Sequence, residues 1–94
     1  MPDVRLEDQQ DRGRYVLNTE DGQEAYITFT HDRPNHISIT YSYVPPAFRG
    51  RGLAAGLVAR AVEDARAAGV TITPLCGYVA AEFRRHKEWQ DVLA

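Results

Sequence analysis

Apolar and polar residues alternate through most of the first half of the chain, at the two-residue period that is typical of β-strands. Turn sequences separate these alternating segments. Asp21-Gly22 favours the positive φ of a tight hairpin turn, and residues 32–35 contain the proline and asparagine of another turn. We therefore predict a meander of up to four antiparallel strands, over residues 4–6, 14–19, 25–30 and 36–44.

The period changes to that of a helix in the second half. Apolar residues recur three and four positions apart from Leu53 until Gly69, where glycine favours the left-handed conformation that ends helices. Residues 70–73 form a short β-branched segment, and a helix between two strands favours their parallel pairing. Residues 78–85 predict a second, short helix, and residues 86–89 a closing turn. The predicted fold class is α+β, with a mixed but mainly antiparallel sheet, a long helix and a short C-terminal helix.

The last strand of the meander, ending at Val44, is joined to the long helix by a glycine-rich, basic turn, Pro45-Pro46-Ala47-Phe48-Arg49-Gly50-Arg51-Gly52. The first amides of a helix have no partner within it and lie at the positive end of its dipole, and glycines leave room beside them. Such a junction is typical of a phosphate site, although a plain tight connection has the same pattern. A nucleotide-binding P-loop is excluded, because no Lys-Ser or Lys-Thr follows the glycines.

Composition narrows the class of protein. The 94 residues, 44% hydrophobic and 26% charged, predict one folded domain over residues 1–94. No apolar run approaches the length of a membrane span, and the residues after Met1 show no secretory leader, so we expect no membrane partner and a cytoplasmic location. A formal net charge of -2 leaves no basic surplus for a phosphate backbone, so nucleic acid is not an expected partner.

Few side chains outside the turn indicate chemistry by themselves. Cys76 is the one cysteine, so the chain has no internal disulfide, which agrees with a reducing compartment. A cysteine at the end of a buried strand is more often an inert apolar residue than a nucleophile. The three histidines show no metal-site spacing, so we expect solvated or capping histidines and no metal. Weak pairs within the long helix are expected among Arg60, Glu63, Asp64 and Arg66.

Three segments of the chain resemble a known family. Arg49-Gly50-Arg51-Gly52-Leu53-Ala54 fits the pattern Arg/Gln-x-x-Gly-x-Gly/Ala, and between a strand and a long helix it resembles the acetyl-CoA-binding segment of the GNAT superfamily of N-acetyltransferases. Residues 74–79, Pro-Leu-Cys-Gly-Tyr-Val, and residues 86–91, His-Lys-Glu-Trp-Gln-Asp, resemble a narrower subfamily of small GNAT-like proteins. The resemblance extends from residue 44 to residue 93.

The resemblance implies where acetyl-CoA, as co-substrate, would lie. Two parallel strands would separate near Val44 and Pro74, with the pantetheine arm in the opening. The backbone of Tyr43 and Val44 would bond the pantetheine amides as a further strand would, and the amides of the glycine-rich turn would take the pyrophosphate. The implied cofactor-binding residues are Tyr43, Val44, Arg49, Gly50, Arg51, Gly52, Leu53 and Ala54.

The resemblance also implies a catalytic role for Cys76, which would lie near the acetyl group and accept it as an acetyl-cysteine. A helix N-terminus beside a thiol lowers its pKa, which favours the nucleophilic thiolate. This chain departs from its relatives at two positions. Tyr41 stands where many of them carry a histidine, and a phenol is a poor base at neutral pH. Arg84 stands where larger relatives often have a tyrosine that protonates the departing CoA, and Tyr78 is shifted from that position.

Two functions remain open on the sequence. The first is an acetyl-CoA-dependent N-acetyltransferase, acting directly or through an acetyl-cysteine. The second is a non-catalytic acyl-CoA-binding or interaction module with the same pocket. Little chain remains after the second helix to enclose an acceptor, so the acceptor expected of the enzyme is a macromolecule, such as a protein, or another exposed amine.

Overall fold

Five strands form one sheet in which each strand lies beside its neighbours in the sequence. The computed structural model describes residues 3–94; Met1 and Pro2, the first of the residues considered above for a secretory leader, lie outside the described residues. Pairing is antiparallel from the first strand to the fourth and parallel between the fourth and the fifth, as predicted. The strands are β1 (Val4–Asp8), β2 (Arg12–Asn18), β3 (Glu24–Arg33), β4 (His36–Tyr43) and β5 (Thr71–Pro74).

The helices are α1 (Leu53–Ala68), α2 (Gly77–Arg85) and two short 3-10 helices, Pro46–Phe48 and Lys87–Trp89. Gly69 ends α1 as predicted, because it has a φ of 70° and its amide donates to the carbonyl of Ala65. The α+β class with a mixed sheet is confirmed. The 3-10 helix before α1 is a feature that the sequence indicated only as a turn. No helix between residues 3 and 94 is long and apolar enough to cross a membrane.

One apolar cluster joins the sheet to both helices. Leu57 and Val58 of α1 have no exposed surface, and α2 adds Val79 and Phe83 to the same cluster. The ring of Phe83 packs edge-on against Trp89, with 5.4 Å between the ring centroids. Burial of each large side chain contributes about 1.5–3 kcal/mol. The cluster therefore fixes α1 on the sheet, with its first turn close to the end of β4.

A β-bulge interrupts β4 at Thr40. Phe29 of β3 pairs with Ile39, but the residue before it, Thr28, pairs with Tyr41, so Thr40 is an extra residue on β4. Side chains of a strand alternate between the two faces of the sheet, and an extra residue reverses that alternation. The bulge therefore changes which side chains the end of β4 turns toward the core.

Beyond the bulge, Ser42 lies opposite Ile27, a fully buried residue of β3, and Tyr43 lies opposite Tyr26. The ring of Tyr26 is 6.2 Å from that of Tyr41 and 5.6 Å from that of Tyr43, measured between centroids. Unbroken alternation along β4 would have placed the two tyrosines on the core side with the isoleucines. They lie on the opposite face instead, and Ser42 takes the core side.

Polar contacts fasten the residues after α2, which we name the C-terminal segment (residues 86–94), to the two helices. Arg66 of α1 donates from Nε and Nη2 to the two carboxylate oxygens of Asp91, at 2.6 and 2.8 Å. The side-chain amide of Gln90 donates to the carbonyl of Phe83 at 3.1 Å. The expectation of weak pairs only within α1 is therefore wrong for Arg66, because folding brings it next to a carboxylate 25 residues away.

A second polar contact fixes the other side of α1 to the first strands. Arg60 forms the expected pair with Asp64, at 3.2 Å, but it also donates to the carbonyl of Val4 at 3.0 Å. Asp64 accepts from the hydroxyl of Tyr15 at 2.7 Å. Burial, followed by the hydrogen bond to this carboxylate, raises the pKa of Tyr15. These contacts connect α1 to β1 and β2, so they do more than pair charges along the helix.

His36 is buried, contrary to the expectation of a solvated or capping histidine. Its side chain is 1% exposed, and both ring nitrogens lie within hydrogen-bonding distance of hydroxyls on β5. Nδ1 is 2.7 Å from Oγ1 of Thr71, and Nε2 is 2.9 Å from Oγ1 of Thr73. The two threonine hydroxyls satisfy both nitrogens of the imidazole. A histidine beside a turn can therefore be buried between two parallel strands.

Candidate functional site

The paired part of β4 and β5 ends where Ile39 lies opposite Pro74, although β4 itself continues to Tyr43. Pro74 has no amide to continue the ladder. The amides of Leu75 and Cys76 both donate to the carbonyl of Ile39, at 2.9 and 3.1 Å, so the chain turns away from β4 at that point. The last residues of β4 therefore border an opening, as the resemblance implied.

The turn between β4 and α1 depends on two glycines. A short 3-10 helix begins it, with the amide of Phe48 donating to the carbonyl of Pro45 at 2.9 Å. Gly50 and Gly52 follow with φ of 80° and 77°, a conformation that other residues rarely adopt. A Cβ at either position would meet no protein atom within 4 Å. The glycines are thus required by the backbone conformation itself, and the space beside them is free for a ligand.

Backbone amides at the start of α1 have no protein acceptor. The first hydrogen bond of the helix joins the amide of Gly56 to the carbonyl of Gly52, at 3.0 Å. Within residues 3–94, none of the amides from Gly50 to Ala55 donates to a backbone oxygen. These donors lie at the positive end of the α1 dipole, with no acidic residue in the first turn. The arrangement suits an anion such as a pyrophosphate.

The two arginines of the turn point to different places. Nε of Arg49 donates to the carbonyl of Val44 at 2.8 Å, and its guanidinium lies 5.9 Å from the centroid of the Tyr43 ring. The guanidinium of Arg51 lies 5.1 Å from the Phe48 ring, and Nη1 is 3.9 Å from a carboxylate oxygen of Glu20. Arg49 is therefore directed toward the end of β4, and Arg51 toward the turn between β2 and β3.

A cleft of about 440 Å³ lies between the end of β4 and the start of α1. It contains every predicted cofactor-binding residue except Arg51, and Cys76 does not line it directly. Ser42 and Phe48 were not predicted as cleft residues, because neither the bulge nor the 3-10 helix has a reliable sequence pattern. The lining residues are Tyr41, Ser42, Tyr43, Val44, Phe48, Arg49, Gly50, Gly52, Leu53, Ala54 and Tyr78.

Cys76 lies at the inner end of this region as the N-cap of α2, partly buried against the core cluster. Its Sγ is 3.4 Å from Oγ of Ser42, which lines the cleft. Burial raises the pKa of the thiol, but the Ser42 hydroxyl and the amides of Val79 and Tyr78 lower it, and the net shift is downward. The protein environment therefore favours the thiolate.

The positions at which the chain departs from its relatives take different places around the cleft. Tyr41 borders it with a half-exposed ring, and Tyr78 borders it from α2, whereas Arg84 is exposed and is not a lining residue. Burial and the nearby carboxylate of Glu82 raise the pKa of Tyr78, so this phenol keeps its proton at neutral pH. The Tyr78 hydroxyl thus borders the cleft in its protonated form.

Histidines and clustered metal ligands are absent from this cleft in the described part of the chain. His31 pairs with Asp8 at 2.7 Å, His36 is buried between strands, and His86 stacks on Trp89 with 3.9 Å between centroids. Residues 3–94 contain no group of three or more His, Cys, Asp or Glu side chains arranged to hold a metal ion. The absence of a metal requirement stays a prediction.

Comparison with known proteins identifies a matching family and a matching fold. The family model described as GCN5-related N-acetyltransferase matches residues 14–92. The solution NMR structure of a GCN5-like protein from Staphylococcus aureus superposes with a TM-score of 0.70 at 21% identity, and the match covers 100% of this chain and 91% of that chain. At that identity the likeness shows the fold alone, which is the mixed α+β fold described above.

Proposed function

Because this chain belongs to the GCN5-related N-acetyltransferase family, whose members use acetyl-CoA as co-substrate, we propose that it transfers acetyl groups from acetyl-CoA to an amine. The proposal takes residues 1–94 as one catalytic domain. A reducing, cytoplasmic location is proposed with it, since the one cysteine is a free thiol.

The unpaired amides at the start of α1 carry this proposal. Gly50, Gly52, Leu53 and Ala54 line the cleft, and their unpaired amides would hold the pyrophosphate of CoA. Arg49 lies close enough to add a charge-assisted hydrogen bond once it leaves the carbonyl of Val44. The freed carbonyl and the neighbouring backbone of Tyr43 would then bond the pantetheine arm, which would fill the opening between β4 and β5.

The pantetheine arm would bring the thioester toward Cys76, and we propose transfer in two steps. The Cys76 thiolate attacks the carbonyl carbon of acetyl-CoA, the bond from that carbon to the CoA sulfur breaks, and the CoA thiolate takes a proton from Tyr78 or water. An amine then attacks the acetyl-cysteine, its surplus proton passes to solvent, and Cys76 leaves as the thiolate. Transfer of an acetyl group from one thiol to another replaces one thioester with another. This exchange is close to isoenergetic, so the first step needs no further energy source.

The acceptor we propose is an exposed amine on a macromolecule. Leu75 is 64% exposed beside Cys76, and Tyr41 and Tyr78 are 51% and 40% exposed at the cleft. Large apolar side chains around an open cleft suit contact with a protein surface better than they suit a small polar amine. A lysine side chain or a protein N-terminus presented by such a surface is therefore the proposed acceptor.

A second candidate, a CoA-binding module without turnover, is favoured by one observation. Within residues 3–94, no histidine or carboxylate lines the cleft to accept a proton from the attacking amine. Tyr41 stands at the position where relatives often carry a histidine, and a phenol is a weaker choice of general base than an imidazole. A protein of this kind would hold acyl-CoA by the same amides and release it unchanged.

Two measurements on the wild-type protein separate these functions. Calorimetry with CoA and acetyl-CoA tests the cleft, and binding of both is expected from the unpaired amides. Intact-mass spectrometry after incubation with acetyl-CoA tests transfer, and a gain of one acetyl group is expected. Release of free CoA thiol, followed with a lysine-rich peptide as the acceptor, tests turnover. Binding without mass gain or thiol release would favour the module.

Cys76→Ala is the matched control for the route. It should bind CoA as the wild type does, because the pyrophosphate and pantetheine contacts lie elsewhere in the cleft. It should also lose the acetyl adduct, since the chain has no other cysteine. Full peptide acetylation by Cys76→Ala would exclude the acetyl-cysteine and leave direct attack by the amine on acetyl-CoA.

A further inference from the structure

Ser42 is the side chain that contacts the sulfur of Cys76, and neither the family pattern nor the sequence periodicity gave it a role. The two atoms, Oγ and Sγ, are 3.4 Å apart, a normal hydrogen-bond distance when sulfur is one of the partners. Ser42 lines the cleft, and Cys76 lies behind it as the N-cap of α2. The contact therefore joins the two sides of the opening between β4 and β5.

The bulge at Thr40 makes this contact possible. Without an extra residue in β4, Ser42 would share a face with Ser38, whose hydroxyl donates to Asp32 on the side away from the core. With the bulge, Ser42 lies opposite the buried Ile27 and reaches the thiol. A bulge is an energetic cost to a strand, and bulges are frequent beside active sites, where they redirect a side chain.

We propose that Ser42 is a positioning residue for Cys76, which holds the thiol toward the cleft and stabilises its thiolate for attack on acetyl-CoA. A serine hydroxyl both accepts and donates a hydrogen bond, so it suits both states of the cysteine. It accepts from the S–H of the thiol. When the thiol proton has passed to solvent, the hydroxyl donates to the charged sulfur, and hydrogen bonds to a charged group are the stronger kind.

The same hydroxyl acts at the end of the proposed reaction. When the amine displaces the acetyl group, the bond from the carbonyl carbon to Sγ breaks and the electron pair returns to sulfur as a thiolate. The Ser42 hydroxyl donates to that thiolate, which makes Cys76 a better leaving group. No atom of Ser42 is transferred, so its role is to position and stabilise Cys76.

Among the described residues, Ser42 is the side chain that forms a hydrogen bond with the sulfur of Cys76. The titratable and charged side chains on the adjoining elements are His36, Tyr41 and Tyr43 of β4 and Tyr78, Glu82, Arg84 and Arg85 of α2. In the described residues none of these forms a hydrogen bond or an ion pair with Sγ. The remaining donors toward the sulfur are the backbone amides of Tyr78 and Val79 in the first turn of α2 and the backbone amide of Ser42 itself, and a side-chain substitution at Ser42 leaves all three in place.

Only the catalytic part of this inference, the effect of Ser42 on acetyl transfer, rests on the proposed function. The first test measures the effect of Ser42 on the thiol and is therefore independent of acetyl transfer. Because Cys76 is the one cysteine, the rate of iodoacetamide labelling against pH reports its ionisation alone. Ser42→Ala should move the midpoint of that profile to higher pH and slow labelling at pH 7 by about threefold to tenfold. Ser42→Thr keeps the hydroxyl and should restore the wild-type profile.

Ser38→Ala is the matched control, because it removes a serine hydroxyl on the same strand, before the bulge, that donates to Asp32 instead of the thiol. It should label as the wild type does. In the second test, Ser42→Ala should form the acetyl adduct more slowly even at saturating acetyl-CoA, where a change in affinity no longer affects the rate. Circular dichroism shows whether each variant is folded.

The outcomes distinguish this inference from the function on which it rests. An unchanged labelling midpoint in a folded Ser42→Ala variant overturns the role of Ser42, whether or not Cys76 becomes acetylated. A shifted midpoint together with slower adduct formation supports it. A shifted midpoint in a protein whose wild type forms no adduct overturns the proposed acetyl-cysteine and still supports the effect of Ser42 on the thiol.

Discussion

The two ends of α1 differ in how far the protein satisfies their backbone groups. Each end is bordered by a glycine in the left-handed conformation, Gly52 before the helix and Gly69 after it. At the C-terminal end, the amides of Gly69 and Val70 both donate to the carbonyl of Ala65. At the N-terminal end, the amides of Leu53, Ala54 and Ala55 have no partner among the described residues.

The side chains beside the two ends of α1 also differ in how far the protein satisfies their polar groups. Beside the C-terminal end, Arg66 binds both oxygens of Asp91 and the carbonyl of Glu88. Beside the N-terminal end, Arg51 is 58% exposed and its contact with Glu20 is long, at 3.9 Å. One end of the helix thus uses its polar groups for the fold, and the other leaves them available. Unsatisfied donors with free space beside them indicate where a ligand is expected.

The largest expected effect comes from the middle of the helix, which supports both ends. Leu57→Ala removes a side chain with no exposed surface and should lower the free energy of unfolding by about 2–5 kcal/mol. That is a large part of the stability of a small domain. Thermal unfolding followed by circular dichroism measures it. An unchanged melting temperature would mean that Leu57 does not pack in the core.

Gly56→Ala is the matched control on the same helix. Gly56 is exposed, and a Cβ there would meet nothing within 4 Å. Alanine is favoured over glycine in a helix by about 0.5–1 kcal/mol, so this variant should be more stable than the wild type. Opposite signs for the two neighbouring substitutions would confirm which side of α1 faces the sheet.

The second prediction compares the two glycines directly. Gly52→Ala and Gly69→Ala put the same methyl group into the same strained conformation, at φ of 77° and 70°, and each should cost about 1–2 kcal/mol of stability. Only Gly52 borders the unpaired amides. CoA affinity measured by calorimetry should therefore fall about tenfold or more in Gly52→Ala. In Gly69→Ala it should stay within about twofold of the wild type.

Two outcomes for Gly52→Ala and Gly69→Ala would contradict the predicted difference between the ends of α1. Equal loss of CoA affinity in both variants would trace the effect to general destabilisation of α1. Unchanged affinity in a folded Gly52→Ala variant would mean that the pyrophosphate does not lie on the amides after Gly52.

Periodicity and turn chemistry predicted most of the fold, because local sequence determines those features directly. The Asp21-Gly22 turn and the glycine at the end of α1 each have the positive φ that was expected. The parallel pairing of β4 with β5 followed from the helix between them. Contacts between distant residues were not predictable in this way. Arg66 with Asp91 and His36 with Thr71 depend on how the chain closes, and neither residue shows its partner locally.

The glycine-rich turn of the candidate site and its unpaired amides were predictable for the same reason, since glycines before a helix form a local pattern. The part of the candidate site around Cys76 and Ser42 was not predictable. Thr40 carries no sign that it is a bulged residue, and without the bulge Ser42 would face away from Cys76. Extra residues in strands depend on the twist and pairing of the whole sheet. The sequence therefore indicated the cysteine and missed the hydroxyl beside it.

The third prediction compares the two arginines of the turn. Arg49 lines the cleft and Arg51 points toward Glu20, so Arg49→Ala should weaken CoA binding by about threefold to tenfold and Arg51→Ala by less than about twofold. Both effects should shrink at high salt, because exposed charges are screened. Calorimetry at two salt concentrations measures them. A larger loss in Arg51→Ala would place the phosphates on the other side of the turn.

The smallest expected effect lies at the satisfied end of α1, in the contact between Arg66 and Asp91. Hydrogen bonding to the Arg66 guanidinium lowers the pKa of Asp91, so the folded state favours the carboxylate. A group whose pKa is lowered by folding stabilises the protein above its unfolded pKa, near 3.9 for aspartate, and loses that contribution as pH falls through the folded value. Asp91→Asn should therefore melt slightly below the wild type at pH 7, and the difference should vanish in strong acid. CoA affinity should not change, since the contact is remote from the cleft. A melting difference that persists at low pH would show that Asp91 acts through packing instead of charge.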